Sequence, residues 1–144
     1  MCLILISCNT SVIYDQKQLV NDPWKYGDQL SFEYEVTDTV PAYNMIITIG
    51  HLPSFSYENI YLSTTTKFPD GTSTNTPVSF QLADNRGMWI GKCSGEKCST
   101  EIEMSSGAFF KSMGKYVLIF DQFSREDSLT GIQSIGITVQ KTKK

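Results

Sequence analysis

The sequence predicts an all-β fold: a two-sheet antiparallel β-sandwich, jelly-roll-like, with about eight or nine strands. Three observations predict it. Apolar residues recur with period two rather than 3.6. Turn residues (Gly, Pro, Asn, Asp) punctuate the chain every few residues. No segment of useful length carries a helical stripe. With 144 residues the chain is long enough for one domain with a core of its own. Variable connection lengths and several long strands favour a jelly roll over a closed barrel.

The elements follow in order. Leu30, Phe32, Tyr34 and Val36 alternate with Ser31, Glu33 and Glu35, a half-buried strand. Tyr43 to Ile49 is a second, denser in apolar residues. Ile60, Leu62, Thr64, Thr66 and Phe68 make one face of a third. Pro69-Asp70-Gly71 then turns the chain, because Pro fixes φ at the first corner and Gly accepts the positive φ that follows. Thr74, Thr76, Val78, Phe80 and Leu82 return, and Asp84-Asn85-Arg86-Gly87 turns again toward Met88-Trp89-Ile90. Glu101 to Met104 with Phe109-Phe110, Tyr116 to Phe123, and Ile132 to Gln140 complete the set. Residues 9–22, polar and weakly periodic, read as a tether, 23–140 as the sandwich domain, and the Lys-rich 141–144 as a solvated tail.

Composition narrows function. Charged residues at 19% against 40% hydrophobic describe a folded chain rather than a disordered one. A net charge of −3 lacks the basic face that phosphates require, so nucleic acid is not an expected partner. No apolar run approaches the roughly 20 residues of a membrane-spanning helix.

The N-terminus reads Met1-Cys2-Leu3-Ile4-Leu5-Ile6-Ser7-Cys8, then the polar Asn9-Thr10-Ser11. An apolar run, a small residue and a cysteine are the pattern of a bacterial lipoprotein signal, in which the cysteine is lipidated and becomes the new N-terminus. Residues 1–8 are thus read as a signal remnant and Cys8 as the lipidation site, with an apolar first strand as the alternative. A full signal runs ~15–30 residues from a positive start. Seven uncharged residues precede Cys8, so the expectation is that the chain begins inside its signal or is truncated.

Cys2 falls in the discarded segment, which leaves Cys93 and Cys98 flanking Ser94-Gly95-Glu96-Lys97. Two cysteines across a hairpin mouth can meet disulfide geometry, and an exported protein meets oxidising conditions. A disulfide is expected there, with free thiols the alternative; CxxxxC is not the CxxC redox motif. No metal site is expected, since His51, the one histidine, is remote in sequence. Asp70, Asp84, Asp121 and Asp127 fit turn caps better than calcium ligands.

Catalytic motifs do not emerge. There is no Gly-x-Ser-x-Gly elbow, His-Glu-x-x-His pair or phosphate-binding glycine loop. Acidic residues are plentiful, yet most fall at turns or solvent-facing strand positions rather than as a convergent pair. A non-enzyme without a cofactor is the expectation. Aromatic residues at 12% offer a binding surface instead. Trp24, Phe55, Tyr57 and Trp89 are the candidates, each weighed against core packing, with Tyr26, Tyr43 and Tyr61 behind them.

These residues, in order, resemble the GldH-type gliding-motility lipoprotein family of Bacteroidetes. The matching features are Cys8, Tyr14-Asp15, Trp24, Asp28, Phe32, Asp38 and Tyr43-Asn44, then Tyr57-Glu58-Asn59-Ile60-Tyr61-Leu62. Phe68-Pro69-Asp70-Gly71, Leu82-Ala83-Asp84, Gly87-Met88-Trp89-Ile90-Gly91, Gly114-Lys115-Tyr116, Gly131-Ile132 and Gly136 follow. The chain departs from the family at Gly50-His51-Leu52, where an arginine is usual, at Phe123-Ser124-Arg125, and in the Cys93/Cys98 loop. The resemblance implies a non-enzymatic lipoprotein of the cell envelope, an accessory or structural component of gliding motility or the linked protein-secretion machinery. Its partners would be the membrane, through the lipid anchor, and envelope proteins. The alternative, from the loop aromatics, is a lipid-anchored carbohydrate-binding module, with glycan as ligand. Asn9-Thr10-Ser11-Val12 after Cys8 carries no acid, which leans the anchor toward the outer membrane, facing the periplasm.

Overall fold

Alternation sorts the side chains into an inner and an outer set, and two sheets close over the inner one. The computed structural model describes residues 11–142. Among them are eleven strands and no helix. One sheet holds β1 (Val12–Leu19), β11 (Ile132–Lys141), β4 (Tyr43–His51), β8 (Lys97–Ala108) and β7 (Lys92–Ser94), side by side in that order. The second holds β3 (Leu30–Val36), β9 (Gly114–Gln122), β5 (Asn59–Lys67) and β6 (Ser73–Gln81). A two-stranded ribbon, β2 (Trp24–Lys25) with β10 (Ser128–Leu129), caps one end. All pairings are antiparallel.

The fold is thus the expected all-β sandwich, with eleven strands instead of eight or nine. Three of the extra pieces, β2, β7 and β10, are only two or three residues long, too short for a periodic signal. Phe32, Tyr34 and Val36 from one sheet, and Ile47, Ile49, Ile135, Ile137 and Val139 from the other, are buried in one core. In β5, Ile60, Leu62 and Thr64 point inward as their parity requires. The β5–β6 turn forms at Pro69-Asp70-Gly71, with Gly71 at φ +91° and Asp70 Oδ1 accepting from the Thr72 N–H and hydroxyl.

Three expectations are corrected. Residues 12–19 are not a tether: they pair along β11 from Val12↔Gln140 to Leu19↔Ser134. The segment looked aperiodic because Gln18, a polar residue, faces the other sheet, where its amide donates to Ser31 O at 2.6 Å. Met88-Trp89-Ile90 lies in a loop, joined to Ala83 by a single bridge, and Phe109-Phe110 follow the end of β8. Lys141 closes β11 and its N–H donates to Ser11 O at 2.7 Å, and the Thr142 N–H donates to Ala42 O, so residues 141 and 142 belong to the sandwich and not to a solvated tail. Cys2 and Cys8 lie outside the described residues, as do Lys143 and Lys144.

The strand directions give the sandwich two poles. At one lie residue 11, loops 37–42 and 109–113, turn 68–72 and residue 142. At the other lie loops 52–58, 82–91 and 123–127 and the β2–β10 ribbon. Strands of about nine residues separate them by roughly 30 Å.

Candidate functional site

The ribbon pole gathers most of the candidate aromatics, but it does not expose them equally. Trp24 is 1% exposed, its indole N–H donating to Asp28 O at 2.6 Å. Buried Gln122 ties this end together, its amide donating to Trp24 O and Glu126 O and its oxygen accepting from the Ser124 N–H and hydroxyl. Trp24 therefore plugs the end of the core and presents no ring to a ligand. Phe55 is also buried, packed against Gly131, with its ring 5.7 Å from Tyr57 and 6.5 Å from Trp89. For both, the core reading weighed against binding is the one the structure takes: each ring buries more apolar area in the interior than a loop could leave exposed at low cost.

Trp89 is half-buried, its indole N–H donating to Pro53 O at 3.2 Å. It is held by the turn before it, where Asp84 Oδ1 accepts from the Arg86 and Met88 N–H groups. Those bonds, with the Arg86 guanidinium, hold the Asp84 carboxyl below its usual range. Tyr57 is the one of the four leading candidates with an exposed ring, at 41%; of those ranked behind, Tyr26 and Tyr61 are exposed as well and Tyr43 is buried. Its hydroxyl donates to Glu126 Oε2 at 2.7 Å, which raises its pKa above the ordinary tyrosine value.

Beneath this layer sits His51, fully buried, with its ring 4.5 Å from Trp89 and 5.9 Å from Phe55. A carbonyl can only accept, so Nδ1–H donates to Leu52 O at 2.9 Å and Nε2 carries the lone pair. Nε2 has no hydrogen-bond partner among the described residues. Burial pulls the pKa of His51 below 6.5, leaving a neutral ring that packs as an aromatic.

The structure gives the lower-ranked candidate Tyr61 a partner and adds residues the sequence did not single out. Tyr61 and Phe123, both exposed, pair edge-to-face at 5.9 Å on the outer surface of the second sheet. Met88 and Ile90 stand exposed on the returning arm of loop 82–91, which is bonded back to Asp84 and Leu82. Tyr61, already a candidate, is exposed because its parity is opposite to buried Ile60 and Leu62; Phe123, Met88 and Ile90 lie outside the strands and carry no such signal. This pole presents exposed aromatic and aliphatic side chains. Among the described residues, no group of three or more His, Cys, Asp or Glu could hold a metal ion. Cys93 and Cys98 are directly paired across the β7–β8 hairpin and their sulfurs are bonded, with the Cα atoms 4.0 Å apart.

The GldH lipoprotein family profile matches residues 12–139, nearly all of the sandwich. The chain belongs to the GldH lipoprotein family. Over 97% of its length it is 23% identical to a gliding motility lipoprotein GldH homolog of Christiangramia forsetii, covering 90% of that protein. Over 96% it is 21% identical to the gliding motility lipoprotein GldH of Flavobacterium johnsoniae, covering 91%. Among solved structures, a family 35 carbohydrate binding module from Clostridium thermocellum is similar over 86% of this chain and 89% of its own. That likeness, at 10% identity and a TM-score of 0.38, says nothing about function. As a lipoprotein of the GldH family, this chain is membrane-associated.

Proposed function

We propose that this GldH-family lipoprotein is a non-enzymatic accessory component of an envelope assembly for gliding motility or the linked secretion of proteins. Cys8 carries the lipid, and the outer membrane, on its periplasmic side, is the surface it attaches to. The observation that carries the reading is the division of the sandwich into poles. The chain enters beside loop 37–42, three residues after Cys8, while Tyr57, Met88 and Ile90 are exposed at the opposite end. An anchor at the first pole confines the domain to a surface and raises its effective concentration near membrane partners. The second pole is left free to touch envelope proteins.

The test is fractionation of the native host with a Cys8→Ser variant, joined to a crosslinked pull-down. Release of the variant from membranes, with weakened capture of gliding or secretion components, supports the proposal. A variant that stays fully membrane-bound refutes the anchor.

The exposed rings of Tyr57 and Tyr61 favour one second reading, a lipid-anchored carbohydrate-binding module, since open rings stack on sugars. Under it, polysaccharide quenches Trp89 fluorescence and Tyr57→Ala abolishes glycan retention. A flat titration across representative polysaccharides removes it.

A further inference from the structure

At the entry pole, three chain segments close around residue 11. The Lys141 N–H donates to Ser11 O, and the Thr142 N–H donates to Ala42 O at 2.9 Å. Loop 37–42 therefore begins after β3, which lies against β1 with the Tyr14 and Tyr34 rings 5.6 Å apart, and ends across β11 from the start of the described chain. Loop 109–113 adjoins it, because Val36 pairs with Gly114 and Tyr43 with Ala108, and the Tyr43 ring meets Phe110 at 5.1 Å. Three large apolar side chains project from these two loops almost uncovered: Val40 is 84% exposed, Phe109 67% and Met113 63%. Phe109 stands at the rim of an open groove, beside exposed Lys111. The acids of this pole are tied into their own turns, Asp38 by the Val40 N–H and Asp70 by Thr72.

Only Asn9 and Thr10 separate Cys8 from Ser11. Three residue steps span at most about 11 Å even when fully extended. A lipid on Cys8 thus keeps residue 11, and the pole it belongs to, close to the headgroups.

We propose that loops 37–42 and 109–113 are a second, non-covalent membrane contact, with Val40, Phe109 and Met113 entering the boundary between headgroups and acyl chains. This rests on Cys8 being the anchor. Lys111 has the long stem and charged head that lie well at phosphate level. Apolar loop tips of this kind settle about 5–10 Å into the interface. A lipid chain alone lets the domain swivel; three apolar side chains on two loops fix its axis and hold the aromatic pole away from the bilayer.

Tryptophan quenching tests this on the full acylated chain. The protein is reconstituted into phosphatidylethanolamine–phosphatidylglycerol vesicles with plain or brominated acyl chains. Both native tryptophans, Trp24 and Trp89, sit at the opposite pole, so the parent protein is its own control. Phe109→Trp is expected to gain emission that brominated lipid quenches, while the parent emission is unchanged. Met113→Trp reports the same depth if the first variant folds poorly. Unquenched Phe109→Trp and Met113→Trp, on protein whose mass shows an acylated Cys8, overturn the contact and leave the anchor standing. Quenching of the parent tryptophans overturns it too, by putting the other pole on the bilayer. A mass without acyl chains on Cys8 removes the anchor itself, and the contact with it.

Discussion

Mild acid should loosen this fold through a single side chain. His51 is enclosed by Trp89 and Phe55, its Nδ1–H is bound to Leu52 O, and its Nε2 faces no acceptor. A second proton would place an unpaired charge in the core, so burial depresses the folded pKa, opposed only in part by the Leu52 bond. The unfolded chain protonates near 6.5, the folded chain at lower pH. Between those values the unfolded state binds more protons, and stability falls as the pH falls. One proton costs at most about 1.4 kcal/mol per pH unit. From pH 7 to 5.5 the loss reaches up to about 1.3 kcal/mol, or roughly 3–6 °C in Tm for a domain of this size. Asp70 and Asp84, whose pKa values are lowered from 3.8, titrate below this window, and the sequence has no other histidine. The assay is urea unfolding at pH 7, 6.5, 6 and 5.5 for the parent and for His51→Gln. The parent should weaken across the series and the variant stay nearly level. A parent that is level, or a variant with the same slope, refutes the argument.

Other outcomes follow from the same packing. Trp24→Ala should cost about 3–5 kcal/mol in unfolding free energy, the range for emptying a buried aromatic site. Tyr57→Ala should cost only a little unfolding free energy, for a surface hydrogen bond and an edge contact to Phe55, and so leaves a folded protein in which a loss of binding can be read. Cys93 and Cys98 are expected to be oxidised in the exported protein, and reduction should lower stability by about 2 kcal/mol on the loop-closure argument; an unchanged midpoint under reductant would contradict it. Gly91→Ala should destabilise by about 1–3 kcal/mol, since the new Cβ would stand 2.2 Å from the Ser99 carbonyl oxygen. Gly50→Ala should cost less in the same urea assay, because the atom it meets is the rotatable Ser134 hydroxyl.

How much the sequence shows depends on whether a residue's neighbours lie along the strand or across space. Leu30 to Val36 and Ile60 to Phe68 announce their inner faces by period alone, and Pro69-Asp70-Gly71 announces its turn by backbone chemistry. β1 does not, because an edge strand closes the sandwich through Gln18 and Ser31, a polar contact that no hydropathy pattern contains. The candidate site was legible as a set of aromatics but not as a sorted one. Trp24 and Phe55 turn inward because Asp28, Gln122 and Gly131, distant in sequence or hidden in loops, form their pockets. Tyr57 stays out because Glu126 holds its hydroxyl at the surface. The pole arrangement itself comes from strand direction and pairing register, which alternation does not encode.

In the proposed role the anchored sandwich offers its aromatic pole to envelope proteins. In-cell photocrosslinking measures this directly, with a photoreactive phenylalanine at position 57 and, as control, at exposed Glu103 on β8. Discrete adducts with membrane-associated gliding or secretion proteins are expected from position 57, diminished by Cys8→Ser, and none from position 103. Adducts from position 103 alone, or adducts from position 57 indifferent to Cys8→Ser, would contradict that role.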